Sequence, residues 1–332
     1  MRKFLCTGIA VCMLSGCAIS PDYQRPAIET PGSWTISYDA AAGMADIAWW
    51  KQFNDPVLDE LITTAVNDNL DLMAATARVD QFLGQWRTTR SEAFPQIGAS
   101  AGLSRQQDTK TGLSPGRSAY SDYNGALQAT WEIDFWGRIR RATEAAQAEL
   151  FASEAGRRTV LLTLVSNVAS NYLILRGLDR QLEIAWETEQ AYADSLRIFE
   201  LRHKYGTVSL VELSQVQSEY EDARQLIPLL EAQISQQEHL LAVLLGQNPK
   251  AILRGRTIDE LTIPGIPAEL PSQLLEQRPD IIEAEQALIA ANARIGVARA
   301  LYYPTVSLTG ALGISTIDSD DLFDNDSVTW GI

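Results

Sequence analysis

The stretch GALQATWEIDFWGRIRRATEAA, residues 125–146, changes its period halfway along. Up to Ile133 the residues alternate. Leu127, Ala129, Trp131 and Ile133 take one face, and Ala126, Gln128, Thr130 and Glu132 take the other. Period two marks a strand. After Gly137 the alternation stops, and a run without proline continues to about Lys204. Its apolar positions Leu161, Val165, Val168, Tyr172, Leu175, Leu182, Trp186, Ala193 and Leu196 step by three, four or seven. That rhythm predicts one helix over 137–204 with a coiled-coil seam. Such a helix is about 100 Å long at 1.5 Å per residue, a rod that no compact globular domain needs.

Downstream, His203 to Val208 forms a turn. Gly206 suits a left-handed position, and Ser209 with Glu212 three residues on makes a capping box. A second helix over 209–246 carries Leu213, Val216, Tyr220, Ala223, Ile227, Leu230, Ile234, Leu241 and Leu244 in the same rhythm. Pro228 lies inside it and predicts a kink or a break. Asn248-Pro249 and the proline-rich stretch to Pro271 read as a linker over 247–272.

Upstream, a helix ends at Phe94-Pro95, and alternation follows: Ile97, Ala99, Ala101 and Leu103 against Gln96, Gly98, Ser100, Gly102 and Ser104. Together with 126–133 this predicts a β-hairpin at about 94–134, with a long polar loop from Arg105 to Asp122. The pattern recurs at a constant offset of 209. Asp71-Leu72-Met73 falls on Asp280-Ile281-Ile282, and Phe94-Pro95-Gln96-Ile97 on Tyr303-Pro304-Thr305-Val306. Leu72, Ala75, Val79, Phe82 and Trp86 stand opposite Ile281, Ala284, Leu288, Ala291 and Ile295. A register held this long means internal duplication. The first repeat spans 55–246. The second starts within 273–332, with a strand at about 304–315 and part of a fourth strand after it. Each alternating run has the length a tilted strand needs to cross a bilayer, one face apolar and the other small and polar. A half-buried strand of a soluble sheet has the same alternation, so the strands alone leave both readings open.

The first 17 residues read as an address. Arg2-Lys3, an apolar run from Phe4 to Leu14 too short to span a bilayer, and Leu14-Ser15-Gly16-Cys17 form a lipoprotein signal. Cys17 is the expected lipidation site, with several acyl chains giving a stable anchor. Ala18 permits export to the outer membrane, and 18–54 reads as an N-terminal tether rich in proline at its start. All three cysteines lie within these 17 residues and only His203 and His239 are present, so disulfides and zinc or copper sites are not expected. No cofactor is expected beyond the lipid on Cys17. The formal charge of −15 argues against nucleic acid. Asp320 and Asp321, or Asp318 to Asp326, could be read as an acid–base pair or a calcium loop. The run lacks the glycine and spaced glutamate of an EF-hand and reads as an exposed loop.

Cys17 with Pro21-Asp22-Tyr23-Gln24-Arg25-Pro26, Trp49-Trp50-Lys51-Gln52-Phe53, Asp55-Pro56-Val57-Leu58, Trp131 to Arg138, Gly206-Thr207-Val208-Ser209, Leu244-Leu245-Gly246, Arg278-Pro279-Asp280-Ile281 and Tyr303-Pro304 occur in order along the chain. In this the chain resembles the TolC-like outer-membrane factor family, in its OprM/nodulation T-type efflux lipoprotein branch. The resemblance implies an α+β membrane protein and a homotrimer. Each protomer gives four strands to one outer-membrane β-barrel and long helices to one periplasmic α-helical coiled-coil barrel. It implies a passive duct of a tripartite efflux pump, with a periplasmic adaptor and an inner-membrane pump as partners, and no enzymatic chemistry. It places adaptor docking at the turn, on Arg202, Gly206 and Ser209, with His203 where an apolar or aromatic residue is commoner. Trp131 is expected at the membrane interface. The family carries a second long helix pair. The counterpart of Trp131 would be residue 340, so the chain reads as a duct cut before that pair. A lipid-anchored periplasmic coiled-coil spacer, or a non-functional truncated duct, shares the seams; only a conducting duct needs strands of bilayer length.

Overall fold

The structure is a computed structural model that describes residues 21–26, 48–107, 119–263 and 276–332. Cys17 and most of the loop after the first strand lie outside the described residues. The helices are α1 (Pro56–Asp68), α2 (Leu70–Ser91), α3 (Arg138–Lys204), α4 (Leu210–Leu244) and α5 (Pro279–Ala300). The strands are β1 (Gln96–Gln106), β2 (Tyr120–Glu132), β3 (Ser307–Thr316) and β4 (Val328–Gly331). Short 3₁₀ turns occupy Trp49–Phe53, Ile258–Glu260 and Asn325–Ser327. The duplication is visible in the helices: α2 and α5 both have 22 residues, and both their ends stand 209 apart.

The chain forms two compact units. The first comprises Met1–Ile28, Val79–Glu154 and Ile282–Ile332. It holds one antiparallel sheet in the order β1-β2-β3-β4. β2 begins at Tyr120, earlier than the alternation predicts, because Tyr123 and Asn124 already pair with both Leu103 and Gly102 and with β3. β3 begins at Ser307, three residues after Pro304. The tether reading of the N-terminal segment needs correction at Pro21–Pro26, which is docked on helices of this unit: Asp22 pairs with Arg141, and Arg25 with Glu285.

The second unit comprises Glu29–Arg78 and Ala155–Ile281. Phe53, Leu58, Ile62, Ala65 and Leu72 meet Leu164, Val165, Val168, Tyr172 and Leu175 of α3, with Leu241, Leu245 and Ile252 closing the core. One stretch of α3 is long and apolar enough by composition to cross a bilayer, which the sequence reading did not expect of any helix. One face of that stretch, with Leu164, Val165, Val168, Ala169, Tyr172 and Leu175, is buried in the core, while Leu162 and Ile174 are exposed. Asp55 fastens the unit. Its carboxylate accepts from Val57 N–H and so caps α1, and it also accepts from the Tyr172 hydroxyl and Arg256 N–H. Burial raises the Tyr172 phenol well above its ordinary pKa, and the hydrogen bond to Asp55 adds to this. The reading of 247–272 as a linker fails over its described part. Ile252 is buried, and Arg254 bonds Asp179 and Glu238, which lock that segment onto α3 and α4.

Two further expectations change. α4 runs through Pro228 without a break. Proline removes one backbone donor, and the half-buried and buried faces of Ile227 and Leu230, packed with Leu182 and Ala185, hold the helix together across it. The seam of α3 passes through Ala185, Glu189, Tyr192, Ala193, Leu196, Phe199 and His203, which keeps the predicted Ala193 and Leu196 but leaves out Trp186. Trp186 is half exposed. Polar members such as Glu189, which accepts from the Tyr220 hydroxyl at 3.0 Å, hid that seam from a count of apolar residues.

Candidate functional site

The sheet is the first candidate. Strand pairing sets Ile97 opposite Ala129, Ala99 opposite Leu127 and Leu103 opposite Tyr123. It also sets Leu127 opposite Leu312, Trp131 opposite Leu308, Leu312 opposite Trp330 and Ile314 opposite Val328. Because residues directly opposite share a face, all the large aliphatic side chains of the four strands, with Trp131 and Trp330, gather on one side. Gln96, Ser100, Ser104, Asp122, Asn124, Gln128, Thr130, Ser307, Thr309, Ser315 and the small residues between them take the other. Nothing among the described residues covers the apolar side: Ile97 is 78% exposed, Leu103 72% and Trp330 77%. This separates the two readings of the strands, because a soluble sheet buries its apolar face.

The junction of sheet and helix is built by Trp131 to Arg138. Trp131 donates its indole N–H to the Ala93 carbonyl at 3.0 Å, and Trp136 donates to the Pro304 carbonyl at 2.9 Å while stacking on Tyr303. Asp134 accepts from the backbone of Ile139 and Arg140 and so caps α3. Arg138 bonds both oxygens of Glu132, each at 2.9 Å, and reaches Glu92. Indole and phenol groups thus ring the end of the sheet from which the helices leave.

The third candidate is the turn between α3 and α4. Gly206, at φ +71, lets Thr207 N–H return to the Arg202 carbonyl and Gly206 N–H to the His203 carbonyl, which closes α3. Ser209 accepts from Glu212 N–H, while the Glu212 carboxylate accepts from Ser209 N–H at 2.6 Å and is held below its usual pKa by that bond. His203 Nδ1 lies 3.2 Å from the Val208 carbonyl, and the Arg202 guanidinium sits 5.6 Å from the Phe199 ring centroid. The structure therefore brings Arg202, Gly206 and Ser209 into one turn, with Gly206 and Ser209 spent on its shape. The side chains offered outward are Tyr205, Leu210 and Val211, all strongly exposed. The sequence reading passed over them, although Leu210 and Val211 fall off the seam of α4.

The acidic run Asp318–Asp326 occupies the connection between β3 and β4. Among the described residues no group of Asp, Glu, His or Cys side chains is arranged to hold a metal.

A family model described as outer membrane efflux protein matches residues 61–247 and 270–332. The cation efflux system protein CusC of Escherichia coli (strain K12) is 34% identical over 323 residues, covering 96% of this chain and 70% of that protein. The toluene efflux pump outer membrane protein TtgC of Pseudomonas putida is 33% identical over 340 residues, covering 99% and 70%. Among solved structures, a membrane protein from Pseudomonas aeruginosa superposes with a TM-score of 0.85 at 32% identity, covering 95% of this chain and 72% of that one.

Proposed function

The chain belongs to the outer membrane efflux protein family, and on that premise we propose how it serves as the outer-membrane channel component of an efflux pump. The observation that carries the proposal is the exposed apolar face of the four-stranded sheet. In water that face is a liability. In a bilayer it is the lipid-facing wall, and the opposite small polar face lines an aqueous lumen.

One sheet cannot do this alone. β1 and β4 each leave an outer edge, and an open edge in hydrocarbon strands backbone N–H and C=O groups at several kcal/mol apiece. Copies joined edge to edge close the ring, and the homotrimer that the family resemblance implies is the working unit of this reading. Trp131, Trp136 and Tyr303 then lie at the headgroup level on the periplasmic side. A lipid on Cys17 secures the N-terminus in the outer membrane. The α3–α4 turn is the periplasmic tip and meets an adaptor, which links the duct to an inner-membrane pump. No bond is made or broken; the protein contributes a wall. Relatives equally similar to this chain are named for cations and for toluene, which supports a lumen that leaves substrate choice to the pump.

The native mass of the protein extracted in detergent from outer membranes, compared with its denatured mass, tests the reading. A threefold ratio is expected. A monomer, or absence from that membrane, overturns the duct and leaves a coiled-coil spacer.

A further inference from the structure

The segment after Cys17 is gripped at several points. The Pro21 carbonyl accepts from Asn292 of α5 at 3.1 Å. Asp22 accepts from Arg141 of α3 at 2.6 Å, and Arg141 is almost fully buried. The Tyr23 hydroxyl donates to Glu285 of α5 at 3.2 Å, and Arg25 pairs with the same carboxylate at 2.9 Å. Two helices from two different repeats therefore share one seat for residues 21–25.

The order of contacts gives the segment a direction. Pro21 sits at Asn292, and Tyr23 and Arg25 sit at Glu285, seven residues or about 10 Å back along the helix. α5 leads into β3, so the chain, followed back toward Cys17, heads for the sheet end of α5. From Asn292 about 12 Å of helix remain to Ala300. Tyr302 and Tyr303 come next, with Trp136 stacked on Tyr303. Cys17 precedes Pro21 by four residues, a reach of at most about 14 Å. That upper limit suffices to bring Cys17 to the sheet end of α5 and little beyond it.

We infer that residues 21–25 act as a ruler: the seat of Arg141, Glu285 and Asn292 fixes their height, and so holds the lipid on Cys17 level with the aromatic residues at the end of the sheet. Anchor and barrel then enter the membrane at one depth. The seat also explains why Arg141 can be buried. Asp22 supplies the carboxylate on one side and Glu144 on the other, at 2.7 Å.

The inference rests on lipidation of Cys17, and the test separates the two. Deleting Ile19 and Ser20 shortens the reach by about 7 Å. With the seat intact, this deletion lowers the fraction of protein assembled in the outer membrane severalfold. In a background carrying Asp22→Ala, Glu285→Ala and Asn292→Ala, which removes each contact of the seat, the same deletion has no effect. A deletion that is harmless in both backgrounds, or equally harmful in both, overturns the ruler. Chymotryptic cleavage after Tyr23 in the detergent-solubilised full chain reads the seat directly. Release speeds cleavage about fivefold or more, because cutting follows the population of the unseated segment. Unchanged cleavage overturns the seat. Radiolabelled palmitate incorporation reads the anchor. A wild-type chain that takes no label but stays protected at Tyr23 has a seat without an anchor, which overturns the height function and the lipid reading together.

Discussion

The Tyr172 hydroxyl, midway along α3, donates at 2.8 Å to the Asp55 carboxylate that caps α1, and accepts at 2.9 Å from Gly255 N–H. One buried phenol thus satisfies a carboxylate from one segment and an amide from another. Tyr172→Phe keeps the ring and removes both bonds. Leaving two buried polar groups short of a partner costs about 1–3 kcal/mol each at most. Urea unfolding of the detergent-purified protein, followed by helical circular dichroism, should show a lowered midpoint with an unchanged slope. An unchanged midpoint would mean that water replaces the phenol without loss.

Gly206 and Gly246 both have positive φ, at 71 and 66, yet alanine should affect them differently. Around Gly206 there is open space, so Gly206→Ala costs only the left-handed backbone, about 1 kcal/mol. At Gly246 a Cβ would stand 2.2 Å from the Asp68 carbonyl, backbone that cannot step aside. Gly246→Ala should cost at least about 2 kcal/mol more and reduce the amount of folded protein. Parallel thermal melts of the two variants compare them directly; equal losses refute the contact at Asp68.

Acid should loosen the α3–α4 turn through Glu212. Its folded pKa lies below the ordinary 4.5, so its contribution is present above that value and disappears as pH falls through the lower folded one. Amide exchange at Ser209, corrected for the intrinsic pH dependence, should quicken in the native protein as pH falls below the ordinary glutamate range. In Glu212→Gln it should lack that step. A step that persists in the variant assigns the transition to another group.

Leu127 and Gln128 are neighbours on opposite faces of β2, paired with Leu312 and Ala311. Leu127→Arg places a charge in hydrocarbon at a cost of about 2–4 kcal/mol near the bilayer centre, once per protomer, whereas Gln128→Arg faces water. Outer-membrane flotation should lose the first variant and keep the second. The reverse outcome would invert the two faces and with them the assignment of lumen and lipid.

The elements written in local periodicity were legible in the sequence. The step from period two to a proline-free heptad run between Ile133 and Arg138 located both β2 and α3, and the Ser209–Glu212 box located the start of α4. The offset of 209 returned two helices of equal length because duplication preserves local pattern. What stayed hidden depends on contacts between distant positions. Asp55 and Tyr172, Asp22 and Arg141, and Tyr23 and Glu285 are 117, 119 and 262 residues apart, and no period links them. By period Tyr172 is one more seam residue, and its hydroxyl is what ties the unit together. At the turn, Gly206 and Ser209 stood out because turn geometry restricts residue type, whereas Arg202 was marked only by the family resemblance. Tyr205, Leu210 and Val211 did not, because a contact surface carries no local rule.

The uncovered face of the sheet bears on the protein's history before it reaches the membrane. A side chain such as Ile97 or Trp330 has no dry place among the described residues of its own chain. During transit through an aqueous compartment the strands must therefore stay unpaired or be sheltered by a chaperone, since a finished sheet would stick to its own kind. Folding of the sheet and its delivery to the bilayer are therefore coupled, because the face that finishes the fold finds its dry surroundings only in lipid.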